Sequence, residues 1–131
     1  MNKASIYILR IGLAITFLWI GILILKEPGV WSGYVNPWAI KFLPSSLEHV
    51  MTGTAVLDII IGALLLFDFF TWPAALVGTF HLLLVLAVSG ITDITVRDIG
   101  LLGGTIAMLF ENQPEFLKKK FIGKESKTQV D

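Results

Sequence analysis

The 131-residue chain has no cysteine, which removes disulfides, thiol redox chemistry, iron–sulfur clusters and thiolate metal sites together. Any redox role would have to run through a bound molecule and not through the chain's own sulfur. Two histidines are too few for a His-rich metal site. His49 sits at the end of one apolar run and His81 in the middle of another, which makes them poor axial ligands for a single haem. Net charge is absent as well: ten Lys and Arg balance ten Asp and Glu, so no overall field attracts a nucleic acid or another acidic partner. Charge of either sign is scarce, at 15% of residues against roughly 25% in an ordinary soluble domain. Nine of the twenty charges fall within 111–131, leaving eleven for the first 110 residues. There is no internal repeat or low-complexity tract. No glycine loop is placed to cradle phosphate, because Gly100-Leu101-Leu102-Gly103-Gly104 lies inside an apolar run. The broken helices and repeats of a transporter are missing too.

What the chain does have is hydrocarbon. Its hydrophobic fraction is 55% and its mean hydropathy +0.79. A soluble domain of this length needs a polar exterior that such a composition cannot supply. A membrane-spanning helix needs about 20 mostly apolar residues, and four stretches qualify: 6–25, 48–67, 72–90 and 94–110. The last is the weakest, since its charge-free part, 99–110, would reach only about 18 Å at 1.5 Å per residue. The runs are too long for strands and lack the alternation of a membrane barrel. The expected fold is therefore all-α, an integral membrane four-helix bundle over 1–112, followed by a cytoplasmic basic tail over 113–131. The N-terminal run has no small-x-small cleavage site before Lys26-Glu27-Pro28, so it reads as an uncleaved first span.

The connections differ in character. Asp68-Phe69-Phe70-Thr71 makes a tight hairpin between spans two and three, and Trp72-Pro73 opens the third. The longer segment 26–47 holds three prolines together with Trp31, Tyr34 and Trp38, residues that favour the headgroup level; a short helix is predicted near 37–43. In the tail, Phe116-Leu117-Lys118-Lys119-Lys120-Phe121-Ile122 suits an amphipathic turn on an anionic leaflet. With four spans both termini share one side. That side collects seven of the ten Lys and Arg, the other only Lys26, Lys41 and Arg97, so the termini are expected in the cytoplasm of a plasma-membrane protein.

Polar groups at membrane depth are costly enough to be functional candidates. Asp58 and His81 lie twelve residues before and eleven after position 70. In two antiparallel helices this puts them at nearly equal depth, where an imidazole N–H can reach a carboxylate and a shared proton spares both the cost of isolated charge. Such a pair could bind a quinone head group or relay a proton; it could equally be interhelical glue worth about 0.6–2 kcal/mol. Thr54, Asp58 and Gly62 recur at helical spacing, a small-polar stripe that admits a neighbouring helix. Gly100, Gly103 and Gly104 repeat the pattern in the fourth span, and Gly12 and Gly21 in the first, with packing the expected use. A second constellation gathers at the opposite side from the termini: Lys26, Glu27, Glu48, His49, Asp93, Arg97 and Asp98. Arg97 there could hold an oxygen anion or a quinone oxygen with its forked donors, or form an interhelical ion pair with Glu27, Glu48 or Asp58. Arg10 most simply snorkels to headgroups.

The order of features resembles a known family: Leu9-Arg10-Ile11-Gly12 in the first span, Gly21 and Lys26 at its end, a Pro/Trp loop, an apolar hairpin, and Val96-Arg97-Asp98-Ile99-Gly100-Leu101-Leu102-Gly103 opening the last span. It is similar to the DoxX family of small four-helix prokaryotic membrane proteins, related to the DoxD subunit of thiosulfate:quinone oxidoreductase. The resemblance spans about 5–112 and implies an association with membrane redox complexes, with Arg97, Asp98 and Arg10 as important positions. Cysteine-dependent chemistry of distant relatives cannot apply here. The expected function is a small membrane subunit or anchor of a quinone-linked respiratory oxidoreductase complex. In it Asp58 and His81 would handle a proton, Arg97 would orient the acceptor, and Arg97 with Asp98 would make the quinone or anion contact. No intrinsic cofactor or metal is expected. Membrane lipid, partner subunits and a homo-oligomer are the candidate associations. A non-enzymatic assembly protein and a lipid- or small-molecule-binding protein using the aromatic loop are the alternatives.

Overall fold

Asn2 starts the first helix by accepting a hydrogen bond from the Ser5 backbone N–H at 2.8 Å, which satisfies one of the donors that a helix N-terminus leaves free. A computed structural model gives the fold and describes residues 2–117. From Asn2, α1 runs over Lys3–Lys26 and Lys26 ends it, a cation at the negative end of the helix dipole. Pro28 and Pro37 then each open a short helix at its first position, giving α2, Pro28–Ser32, and α3, Pro37–Ile40. The predicted short helix is α3; α2 was not expected. Ser46 caps α4, Leu47–Leu66, by accepting from the His49 N–H, and Glu48 sits in its first turn, where the dipole favours an anion. A tight turn leads to α5, Thr71–Ser89. Gly90 ends that helix at φ 69°, donating its N–H to the Leu86 carbonyl, in the left-handed region where glycine carries no side-chain penalty. Thr92 and Thr95 then bond reciprocally, each hydroxyl accepting from the other's N–H, while the Thr95 hydroxyl donates to the Gly90 carbonyl at 2.6 Å. That turn delivers the chain into α6, Val96–Glu111.

The described residues contain no strand. Three helices, α1, α4 and α5, have the length and hydropathy to cross a membrane. With 16 residues, α6 would reach only about 24 Å, short of the roughly 30 Å hydrocarbon core, and it carries Arg97 and Asp98 in its first turn. Of the tail, only 113–117 enters the described part, with 115–117 a helical turn; Lys118-Lys119-Lys120-Phe121-Ile122 lies outside the described residues.

The closest packing is between α1 and α4, which run antiparallel: Gly21 meets Ala55 and Ile59, while Gly62 meets Ala14 and Leu18. These glycines let two backbones approach, as small residues do in membrane helix pairs. A Cβ on Gly62 would stand 2.9 Å from the Leu18 nitrogen and 3.0 Å from the Ala14 carbonyl oxygen, backbone atoms that can move only if the helices part. Gly62→Ala is accordingly expected to destabilise the bundle by about 1–3 kcal/mol, measured by thermal unfolding in detergent. Gly103→Ala, in a helix with nothing within 4 Å, is the control and should be neutral or stabilising by up to about 1 kcal/mol. The packing expected of Gly12, Gly100 and Gly103 does not occur among the described residues. All three face open space, and of the α6 glycines only Gly104, against Leu13 and Leu9, packs, because α6 turns a single side toward α1.

Leu13, Ala14, Phe17, Ile61, Leu65, Ala74, Ala75, Leu82 and Met108 form the core, and a buried Thr79–Thr105 hydroxyl bond of 2.9 Å ties α5 to α6. This core fills the half of the bundle nearest the 67–70 turn. The other half is hollow.

Candidate functional site

The hollow half holds a cavity of about 520 Å³, within the usual range for small-molecule sites. Its floor is polar. Asp58, in the middle of α4, and His81, in the middle of α5, meet with His81 Nε2 3.0 Å from Asp58 Oδ1, the His81 side chain 9% exposed and the Asp58 side chain 6%. The tight turn explains the meeting: nearly equal counts of residues outward from position 70, twelve and eleven, bring the two to one depth. The contact needs a proton on Nε2 or a shared one, and both side chains line the cavity.

A second polar pair comes from the first turn of α6. Asp98 is buried, lines the cavity with Arg97, and lies within electrostatic range of Asp58 and His81. The Arg97 Nε stands 3.6 Å from Asp98 Oδ1, its side chain 39% exposed, and its guanidinium lies 5.5 Å from the centre of the Trp31 ring, within cation–π range. The interhelical ion pair expected with Glu27, Glu48 or Asp58 is therefore replaced. The Thr92–Thr95 turn precedes the start of α6, and from there Arg97 reaches the Trp31 ring of α2.

The remaining walls are mostly apolar, among them Phe17, Ile20, Ile24, Leu82, Val85 and Leu101, and the roof is the aromatic segment Trp31, Tyr34, Trp38 and Phe42. One backbone bond anchors that roof, from the Asn36 N–H to the Val88 carbonyl at 2.9 Å, so the loop after α2 is tied to the end of α5. The sequence reading placed these aromatics at the membrane interface but did not identify them as the cover of a site. Their spacing has no period that would have shown it.

The second constellation does not assemble as a unit. Only Arg97 and Asp98 join Asp58 and His81. Lys26 and Glu27 border a separate shallow hollow beside Trp31 and Tyr34, and His49 engages Ser45 at 3.3 Å. Arg10 stands at the opposite end of the bundle, and the snorkelling expected of it does not occur. It is 7% exposed and its Nη1 donates to the Leu65 and Leu66 carbonyls at 2.7 and 3.2 Å. The end of α4 offers these carbonyls next to the first turns of α1, a nearer set of acceptors than the headgroups.

The arrangement can take a molecule with an apolar body and a hydrogen-bonding head: the pair on the floor can give or accept a proton, and the forked donors of Arg97 can meet an oxygen. A family model described as DoxX matches residues 5–91 and so ends before Val96. No curated protein and no solved structure matches the chain.

Proposed function

The chain belongs to the DoxX family, and from that premise we propose that it is a small membrane subunit of a quinone-linked respiratory complex, with the cavity as its quinone site. In this reading residues 1–112 form one transmembrane domain. There α6 makes a fourth pass in a locally thinned bilayer, and 113–131 is a cytoplasmic tail beside a cytoplasmic N-terminus in the plasma membrane. The observation that carries the reading is the placement of a buried carboxylate–imidazole pair against an apolar hollow. Two polar side chains that served only as interhelical glue would be expected to close on each other within packed surroundings. A quinone supplies reversible two-electron, two-proton chemistry when bound. The chain's own part is to hold a proton between Asp58 and His81, to orient an oxygen with Arg97, and to exclude water beneath the aromatic roof.

Trp31 and Trp38 line the cavity, so binding can be read from their fluorescence. Full-length protein in lipid nanodiscs should show saturable quenching by added quinone. Asp58→Asn and Arg97→Ala should each weaken that binding by about tenfold or more, the loss expected for one charge-assisted hydrogen bond. Binding that is absent, or untouched by either substitution, would remove the quinone site. Displacement of the quinone by phospholipid or fatty acid at equal concentration would favour the lipid-binding reading that the same cavity allows.

A further inference from the structure

The cavity's route of access can be read from its rim. Its most exposed lining residues are apolar: Phe42 at 80%, Leu84 at 61% and Trp38 at 52%. A mouth that opened to water would be rimmed by polar groups, because a wet apolar rim forfeits its hydrophobic stabilisation. The helices on either side agree. α4 packs chiefly on α1 and meets α5 over much less surface, although a tight turn joins them. Away from that turn Met51 and Thr54 of α4 and Leu84 and Ala87 of α5 line one hollow, with Trp38 and Phe42 among its other lining residues.

We infer that the gap between the outer halves of α4 and α5, under Trp38 and Phe42, is a lateral port through which the site takes its ligand from the bilayer. The occupant is the apolar chain of a lipid-soluble carrier, whose head group rests on Asp58 and His81. This rests on the proposed carrier site and adds the direction of entry and the requirement for a chain. A cavity of about 520 Å³ has room for a head group and the first part of a chain; the rest must leave through an opening that tolerates hydrocarbon. Only a rim facing lipid does so at no cost in exposed apolar surface.

The experiment compares two probes on full-length protein in nanodiscs: a benzoquinone bearing a ten-carbon chain and the tailless tetramethyl benzoquinone. Ala87→Phe places a ring in the gap from an exposed position. Association of the chain-bearing probe, followed by stopped-flow quenching, should slow by about tenfold, equivalent to one decade in affinity if dissociation is unchanged, while the tailless probe stays within about twofold. Leu84→Ala widens the gap and should speed the chain-bearing probe, so the port remains testable if the phenylalanine variant fails to fold. Equal rates for both probes in both variants, or equal slowing of both, overturn the port. Failure of the unmodified protein to bind either probe overturns the carrier site itself, a separate outcome.

Discussion

Asp58→Ala and His81→Ala should each destabilise the detergent-solubilised protein by about 3 kcal/mol, and the double variant by clearly less than the sum. Each single change leaves a polar partner buried without its hydrogen bond, and removing one member of a buried pair typically costs about 3–5 kcal/mol. The low end is expected because the pair lines a hollow and is not enclosed by packed side chains on every side. The double variant strands nothing, so the coupling should reach about 1–3 kcal/mol, the range for residues sharing one bond. Denaturant-induced unfolding of the four proteins, read by circular dichroism, closes the cycle. Asp58→Asn provides the internal check: its amide oxygen can still accept from Nε2, so stability should largely survive while quinone binding falls. Additive single effects would mean that the 3.0 Å contact contributes nothing, and with it would go the proton-holding role of the pair.

That pair was legible in the sequence because two simple rules meet there. Hydropathy fixes where α4 and α5 run, since each must supply about 20 apolar residues, and a turn of four residues fixes their register, so counting from position 70 locates Asp58 against His81. The spans at 6–25, 48–67 and 72–90 were readable for the same reason, and α1, α4 and α5 extend only slightly beyond or short of them. Other features depend on how helices rotate about their axes, which composition does not record. Gly62 and Gly103 look alike as letters, yet one lies against a backbone and the other against nothing. The aromatic roof is similar: Trp31 and Trp38 announce an interface, but that this interface closes a cavity depends on the Asn36–Val88 backbone bond, which no side chain signals. Arg97 takes its carboxylate from the next residue, Asp98, and a ring, not a charge, from α2. An arginine is satisfied by either.

Arg10 is where the sequence reading and the structure part most, and it gives the second large effect. An arginine in the first turns of a span can reach headgroups or turn inward, and the choice depends on what the neighbouring helix presents. Here α4 ends beside it. The last carbonyls of a helix lack partners within the helix and sit at its negative pole, and in hydrocarbon an unpaired one costs several kcal/mol. The Asp68 N–H also serves the Leu65 carbonyl, at 3.3 Å, whereas the Leu66 carbonyl relies on Arg10 at 3.2 Å. Arg10 further lies 3.9 Å from Asp68 Oδ1 and 5.4 Å from the centre of the Tyr7 ring. It thereby holds a turn in which Asp68 and Phe70 adopt φ of 53° and 49°, a left-handed backbone that non-glycine residues keep only when their surroundings enforce it. Arg10→Ala should therefore lower stability by about 3 kcal/mol, from two charge-assisted bonds of about 1.5–3 kcal/mol each less what water recovers at the turn. Proteolytic cleavage within 67–70 should accelerate in parallel, because the turn loses its tie to α1. Arg10→Lys keeps the charge but only one donor group and should recover part of the loss. Quinone affinity of the folded fraction should not change, since Arg10 lies at the far end of the bundle from Asp58 and His81. A variant that stayed as stable as the parent but lost binding would reverse the assignment, making Arg10 part of the site and not the residue that fastens α4 to α1.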